Sequence, residues 1–473
     1  MKSWTKPNAI AAVLDQQVFI NFVPMEIESL YNIYKGCSGG VCTDTRQIKE
    51  HCMFFALKGE NFNGNEFAKQ ALEKGADKVI MDDLSLYEKF GGRGDNSIIL
   101  VEDVLDTLQR IARHHRLSFK IPVIALTGTN GKTTTKELIT ATLATTYNVI
   151  STKGNLNNYI GVPLTLLGLN EDTQIAVIEM GASAPGEIEH LSWIVCPTFG
   201  LITNVGKAHL LGFGSFDGVM KTKGELYDNL VEHKKIAFIN TDNEYLCRMQ
   251  SMRPSLQIVP YGVKPMDARI VREDSSPYLN VEIANPSSLE QPSRIVVRTH
   301  LIGDYNVDNV LAALCVATYF AVPTQKAIAA ISNYIPSNNR SQLCRTERNT
   351  LIIDAYNANP TSMGASLDNF AKLEMENKIL ILGDMLELGS DSLFEHGSII
   401  AKADSINPNA IILVGSEFIK AYKGLDRRIK SHVITFKNSD ELALYLKREK
   451  PAGKTFLIKG SHGTHLEKII QFL

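Results

Sequence analysis

Short apolar runs alternate with stretches of helical spacing along most of the chain, and that alternation predicts α/β domains built on parallel sheets. Cys52–Leu57 and Lys78–Met81 read as buried strands, with Phe67, Ala68, Ala71 and Leu72 at helical spacing between them. Residues 104–119 read as a connecting helix. A second block opens on Ile121–Leu126 and continues through Ile175–Ile178, Phe199–Ile202, Ile236–Ile239 and Leu256–Val259. Alternating segments over 268–284 and 294–302 predict a small antiparallel insertion ahead of a helix at about 307–320. The third block repeats the parallel theme in Leu351–Ile353, Ile379–Leu382, Ile411–Val414 and Phe456–Ile458. Several of these strands end in Gly or Asp, where open α/β sheets bind their ligands. The pattern divides the chain into an N-terminal extension at 1–24 and domains at 25–110, 111–335 and 336–473.

Composition narrows the class. A chain of 473 residues is long enough for about three domains. With 44% hydrophobic and 21% charged residues, a largely disordered chain is excluded. Lys plus Arg is 49 and Asp plus Glu is 51, so the net charge of −2 gives no reason to expect a nucleic-acid partner. The seven cysteines include no CxxC pair, which argues against a zinc ribbon or a disulfide scaffold and for reduced thiols in the cytoplasm. No apolar stretch approaches the roughly 20 residues of a spanning helix, so no membrane insertion is expected. Lys2 and Lys6 ahead of Ala9–Leu14 faintly suggest a signal peptide, but Asp15, Gln16 and Gln17 interrupt the run. Met25 reads as the start of the folded part.

The most informative segment is Thr127-Gly128-Thr129-Asn130-Gly131-Lys132-Thr133-Thr134, between a buried strand and a helix. Glycines there let backbone N–H groups converge on phosphate oxygens, and the helix N-terminus adds favourable partial charge. Lys132 would reach the β- and γ-phosphates, and the Thr133 hydroxyl would ligate Mg²⁺. The first glycine of the common GxxxxGK[ST] pattern falls instead on Leu126, but the strand and helix flanks fit a nucleotide loop. By itself such a loop fits a GTPase, a kinase, a motor or a ligase; no NKxD segment specifies guanine.

The loop GTNGKTT, together with several distant segments, resembles the Mur ligases. Those segments are Thr43–Arg46, Phe55–Gly64, Gly154–Gly161, Glu179–Ala182, Thr203–Leu210, Lys221–Glu225, Asp354–Pro360 and Leu382–Gly389. They are most similar to the branch of the family that joins D-Ala-D-Ala to UDP-MurNAc-tripeptide. The resemblance implies a three-domain α/β architecture: a UDP-substrate-binding domain, a central P-loop ATPase domain and a Rossmann-like C-terminal domain. It implies an ATP-dependent amide ligase in peptidoglycan precursor synthesis, with ATP and Mg²⁺ as cofactors; a monomer is expected. ATP would phosphorylate the tripeptide carboxylate, and the amine of D-Ala-D-Ala would attack the acyl phosphate.

The same resemblance distributes the roles. Gly128, Thr129, Asn130, Gly131, Lys132, Thr133 and Thr134 would hold the phosphates, and Asn306, Asn309, Arg340 and Asp354 the rest of the nucleotide. For Arg340 and Asp354 a plain interdomain salt bridge is the alternative; for Asn306 and Asn309 it is a helix cap. Thr133, Glu179, His209 and Lys223 are the expected metal set, with Lys223 carbamylated so that a cation becomes a carboxylate-like ligand. Lys132, His209 and Lys223 are the expected catalytic groups. Thr43, Asp44, Thr45 and Arg46, with Asn155, Asn157 and Asn158, would contact the UDP-MurNAc-tripeptide. One departure stands out: His462 occupies a place where the family commonly carries arginine.

Two related ligases are the rivals. The enzyme adding diaminopimelate as third residue carries an Asp-Asn-Pro-Arg signature, whereas this chain reads Asn357-Ala358-Asn359-Pro360 with no arginine following. A folylpolyglutamate synthase would lack the first domain. A non-catalytic scaffold descended from a ligase is countered by intact Lys132, Thr133, Glu179, His209 and Lys223.

Overall fold

A computed structural model of the chain describes residues 25–91, 94, 96–273, 276–284, 293–337, 340–425 and 429–473. The expected extension at 1–24 lies outside these residues. The chain divides into two compact units, one ending at His114 and the other running from His115 to Leu473.

The first unit is a four-stranded parallel sheet in the order Val41–Cys42, Cys52–Phe55, Ala76–Met81, Ile98–Leu100. Phe54, Val79, Met81 and Ile98 pack with Ala68 and Ala71 of the helix Ala68–Glu73, the apolar positions whose helical spacing the sequence displays.

The second unit holds two six-stranded sheets. The first is wholly parallel, in the order Gln257–Tyr261, Ile236–Asn240, Phe199–Ile202, Val123–Thr127, Ile175–Glu179, Val149–Ser151. Val123–Thr127 lies inside this sheet and is buried along its length, which is why it reads as one continuous apolar run. The helices Lys132–Leu143 and Val307–Tyr319 cover one face through Leu138, Ile139, Val310 and Leu314. The expected insertion is a three-stranded antiparallel sheet of Arg269–Val271, Tyr278–Ala284 and Arg294–Ile302. The other six-stranded sheet runs Gln342–Arg345, Thr350–Asp354, Thr455–Lys459, Lys378–Gly383, Ala410–Val414, Val433–Phe436. All its pairings are parallel except that of the edge strand Gln342–Arg345.

Buried Arg116 ties the start of this unit to its core. It donates to the carbonyls of Val195 (3.2 Å) and Cys196 (3.2 Å), placing a cation at the end of the helix Glu187–Val195. No described helix is long and apolar enough to cross a membrane.

Candidate functional site

The strand Val123–Thr127 delivers the chain into Gly128 at φ +143°, where a Cβ would come within 2.0 Å of Thr203 Oγ1. Gly131, at φ +77°, caps the helix Lys132–Leu143. The end of the neighbouring strand Phe199–Ile202 braces the loop between them. Thr129 N–H donates to Asn204 O (2.9 Å), Asn130 N–H to Asn204 Oδ1 (3.0 Å), and Gly206 N–H to Thr129 Oγ1 (2.9 Å). Lys132 Nζ folds back to donate to the carbonyls of Gly128 (2.8 Å) and Thr129 (2.9 Å). Burial lowers its pKa to about 8, against the pull of Glu179.

Glu179 closes the strand Ile175–Glu179 and is 1% exposed. Its Oε1 accepts from Thr133 Oγ1 (3.2 Å) and from Asn157 Nδ2 (2.8 Å). Its Oε2 is buried with no partner. A buried, unpaired carboxylate oxygen beside a phosphate-loop hydroxyl is costly unless a ligand satisfies it, and a divalent cation is the matching chemistry. No three described His, Cys, Asp or Glu side chains converge into a cage.

These groups line a cleft of about 740 Å³, walled on one side by the phosphate loop and on the other by the C-terminal sheet. Asn306 and Asn309 lie in its wall as a relay: Thr135 Oγ1 donates to Asn309 Oδ1 (2.9 Å), Asn309 Nδ2 to Asn306 Oδ1 (2.8 Å), and Asn306 Nδ2 to Ile302 O (2.8 Å). Asn306 precedes the helix Val307–Tyr319, yet its side chain makes no cap bond. Arg340 and Asp354 also line the cleft but do not pair with each other. The Arg340 guanidinium stacks 3.7 Å over the Tyr356 ring, and Asp354 Oδ2 receives Lys459 Nζ (2.5 Å) and Ser366 Oγ (3.1 Å).

His209, at φ +50°, opens a short turn whose ring Nδ1 meets the Glu387 carboxylate. Burial pulls its pKa down and the charges of Lys132 and Lys223 add to this, while Glu387 opposes it. Lys223 lies on the helix Phe216–Glu232 and is 2% exposed, whereas its neighbour Lys221 is exposed. Its Nζ is 3.5 Å from Ala182 O and 5.3 Å from the centre of the Phe213 ring. Burial, reinforced by Lys132, lowers its pKa to about 7, with Glu187 and Glu225 opposing. Burial thus favours the neutral amine over the ammonium. His209 lines the cleft; Lys223 is not among its lining residues.

The three expected asparagines separate. Asn157 holds Glu179, and Asn158 Oδ1 accepts from Ile160 N–H (3.2 Å) and Gly161 N–H (3.0 Å) at the cleft edge. Asn155 is exposed and outside the lining. In the first unit, Thr43–Arg46 form a turn in which Asp44 accepts from Arg46 Nε (2.9 Å) and Nη2 (2.7 Å). These bonds hold the Asp44 carboxyl down at about 2, and the Arg46 side chain is 86% exposed. His462 is outside the cleft lining, its ring 5.9 Å from that of Tyr356.

Sequence reasoning missed three contributors from the C-terminal part. Lys459 lines the cleft, buried against Asp354, and Glu387 holds His209. Asn359 caps the helix Pro360–Lys372 and sends its Nδ2 to Asn130 Oδ1 (2.8 Å) on the phosphate loop. An Asn-Pro pair signals a helix start, but nothing in it signals the second partner.

Comparison with known proteins gives this geometry its setting. The family models for the Mur ligase family catalytic domain, the Mur ligase middle domain and the Mur ligase glutamate ligase domain match residues 39–116, 126–317 and 339–462. The chain is 33% identical over 450 residues to the UDP-N-acetylmuramoyl-tripeptide–D-alanyl-D-alanine ligase of Bacillus subtilis, covering 92% of this chain and 93% of that protein. The solved structure of MurF from Acinetobacter baumannii is similar at a TM-score of 0.80 and 28% identity, over 95% of this chain and 99% of that one. MurF ligase from Thermotoga maritima, solved in complex with ADP, is similar at 0.77 and 25% identity, over 91% and 96%. Matches in chain order from residue 39 to residue 462, with one-third identity across nearly the whole length, establish that the chain belongs to the Mur ligase family.

Proposed function

We propose that this chain is the ATP-dependent ligase that joins D-alanyl-D-alanine to UDP-N-acetylmuramoyl-tripeptide in peptidoglycan precursor synthesis. The observation that carries the reading is the unpartnered Glu179 Oε2 beside Thr133, on the phosphate loop of a chain so similar to ligases of that name. The unarginated Asn357–Pro360 segment, whose Asn359 is engaged by the phosphate loop, favours this reading over the ligase that adds diaminopimelate.

A carboxylate is a poor electrophile, so the tripeptide carboxylate first attacks the γ-phosphorus of ATP and ADP leaves. The amine of D-alanyl-D-alanine then attacks the acyl carbon, inorganic phosphate leaves, and the amine gives up a proton as the amide forms. The anions gathered in the first step need fixed donors and cations. The N–H groups of 128–134 and the Lys132 ammonium supply them to the phosphates. Asn306 and Asn309 would take the base, and Arg340 and Asp354 the remainder of the nucleotide. Thr133 and Glu179 would hold Mg²⁺, with His209 and Lys223 at a second position; a metal held there would supply positive charge to the phosphates. A protonated Lys223 would repel a cation. Its lowered pKa supports addition of CO₂ to the neutral amine: one N–C bond forms, one proton is released, and the side chain becomes an anion. Asn157 and Asn158 would border the acyl end, and Thr43, Asp44, Thr45 and Arg46 of the first unit would take the uridine diphosphate. The division of labour follows 25–110 for the UDP substrate, 111–335 for ATP and 336–473 for closing the nucleotide site, in the cytoplasm.

The test is phosphate release from ATP with each substrate withheld in turn. Release should require both the UDP-tripeptide and D-alanyl-D-alanine. Release that instead requires UDP-dipeptide and diaminopimelate, or a folate and glutamate, overturns the assignment.

A further inference from the structure

The segment Leu382–Gly389 resembles the family, yet nucleotide and phosphate binding leave Glu387 without a role. The structure sets Glu387, at φ +63°, against the turn that begins at His209. Its backbone carbonyl accepts from Leu211 N–H (3.2 Å), and its carboxylate Oε2 meets His209 Nδ1. Two residues upstream, Lys207 Nζ pairs with Glu395 (2.8 Å) and Lys207 N–H donates to Thr361 Oγ1 (3.3 Å). The run Lys207–Leu211 belongs to the ATPase part of the chain, and residues of the C-terminal part grip it at three points.

Of the three grips, only Glu387 reaches the imidazole. A carboxylate accepting from Nδ1–H fixes the neutral ring in the Nδ1–H tautomer and leaves the Nε2 lone pair as the coordinating atom. It also fixes the ring's rotation about Cβ–Cγ, so Nε2 is directed by a residue 178 positions away rather than by its own turn.

We propose that Glu387 is the positioning residue for His209, so that docking of the C-terminal part completes the second cation site of the ATPase part. The inference rests on the reading of His209 as a metal ligand. Adenine contacts and the phosphate loop do not depend on it.

The test measures Mn²⁺ binding to the full chain with a non-hydrolysable ATP analogue, counting free Mn²⁺ by electron paramagnetic resonance. The wild-type chain should bind two ions per nucleotide complex. Glu387→Ala should weaken the second ion by about 10–100-fold, as His209→Ala does, with nucleotide affinity retained. Glu387→Gln, whose amide oxygen still accepts from Nδ1–H, should lose less. Glu395→Gln neutralises a docking ion pair, Lys207–Glu395, that does not touch His209, and should leave Mn²⁺ binding unchanged. If Glu387→Ala binds both ions like the wild type while His209→Ala loses one, Glu387 positions nothing and the metal role of His209 stands. If Glu395→Gln loses as much as Glu387→Ala, the effect is general docking and the inference fails. If His209→Ala itself binds both ions, the metal reading falls and takes this inference with it.

Discussion

Replacing Lys459 with methionine removes an ammonium while keeping most of the side chain's length. Lys459 and Asp354 are register partners on the parallel strands Thr455–Lys459 and Thr350–Asp354. Their side chains are 1% and 16% exposed, with Nζ 2.5 Å from Oδ2. Breaking a buried pair from one side costs about 3–5 kcal/mol, because the other charge is left behind. Asp354 keeps the Ser366 hydroxyl at 3.1 Å and borders the cleft, so the lower end, about 3 kcal/mol, is expected. The double variant Asp354→Asn/Lys459→Met leaves no charge unpaired and should recover to within about 1 kcal/mol of the wild type. Urea denaturation of all four chains, followed by circular dichroism, completes the double-mutant cycle. ADP titration of the same set should show both Asp354-altered and Lys459-altered chains binding more weakly, since Lys459 fixes the carboxylate that faces the nucleotide. A Lys459→Met chain as stable as the wild type, or a double variant less stable than the single, refutes the reasoning.

Gly131→Ala places a Cβ 2.6 Å from Asn309 Oδ1 at a φ of +77°, so nucleotide affinity should fall at least about 10-fold, measured by ADP titration; unchanged affinity would contradict the tight loop geometry. Lys223→Ala should abolish ligation with nucleotide binding largely kept, and formate or acetate should restore part of the turnover by returning an anion to the vacated space. Lys221→Ala, at an exposed position, should remain active; the reverse result moves the assignment by half a helical turn. Because burial brings the Lys223 amine down to about 7, raising the pH from 6 to 8 frees it for CO₂. Ligase depleted of CO₂ should therefore regain more activity at pH 8 than at pH 6 when the same low concentration of dissolved CO₂ is restored, and an equal recovery at both pH values counts against carbamylation.

What could be read along the chain was what is contiguous along it. The phosphate loop announced itself because strand, turn and helix follow one another from Val123 to Leu143, and their burial pattern is local. The parallel strands were legible because those buried on both faces are unbroken apolar runs. The edge strand Gln342–Arg345, half-exposed and carrying two polar residues, gives no such run and went unread. The site's cross-braces were illegible for another reason. Lys459 reaches Asp354 only because the sheet order makes their strands neighbours across 105 residues, and Asn359 meets Asn130 across 229. Sequence spacing carries no record of such pairings. The three asparagines within 155–158 lie close together in sequence, yet the turn points Asn157 at Glu179 and leaves Asn155 exposed, a divergence their spacing does not display.

The central claim is a ligation through an acyl phosphate, and an isotope label tests it most directly. UDP-N-acetylmuramoyl-tripeptide with both oxygens of its reacting carboxylate as ¹⁸O is incubated with ATP, Mg²⁺, D-alanyl-D-alanine and the full chain, and the products are weighed by mass spectrometry. The account predicts one ¹⁸O in each inorganic phosphate and one retained in the new amide carbonyl. Unlabelled phosphate, or label appearing in AMP with release of pyrophosphate, would contradict it.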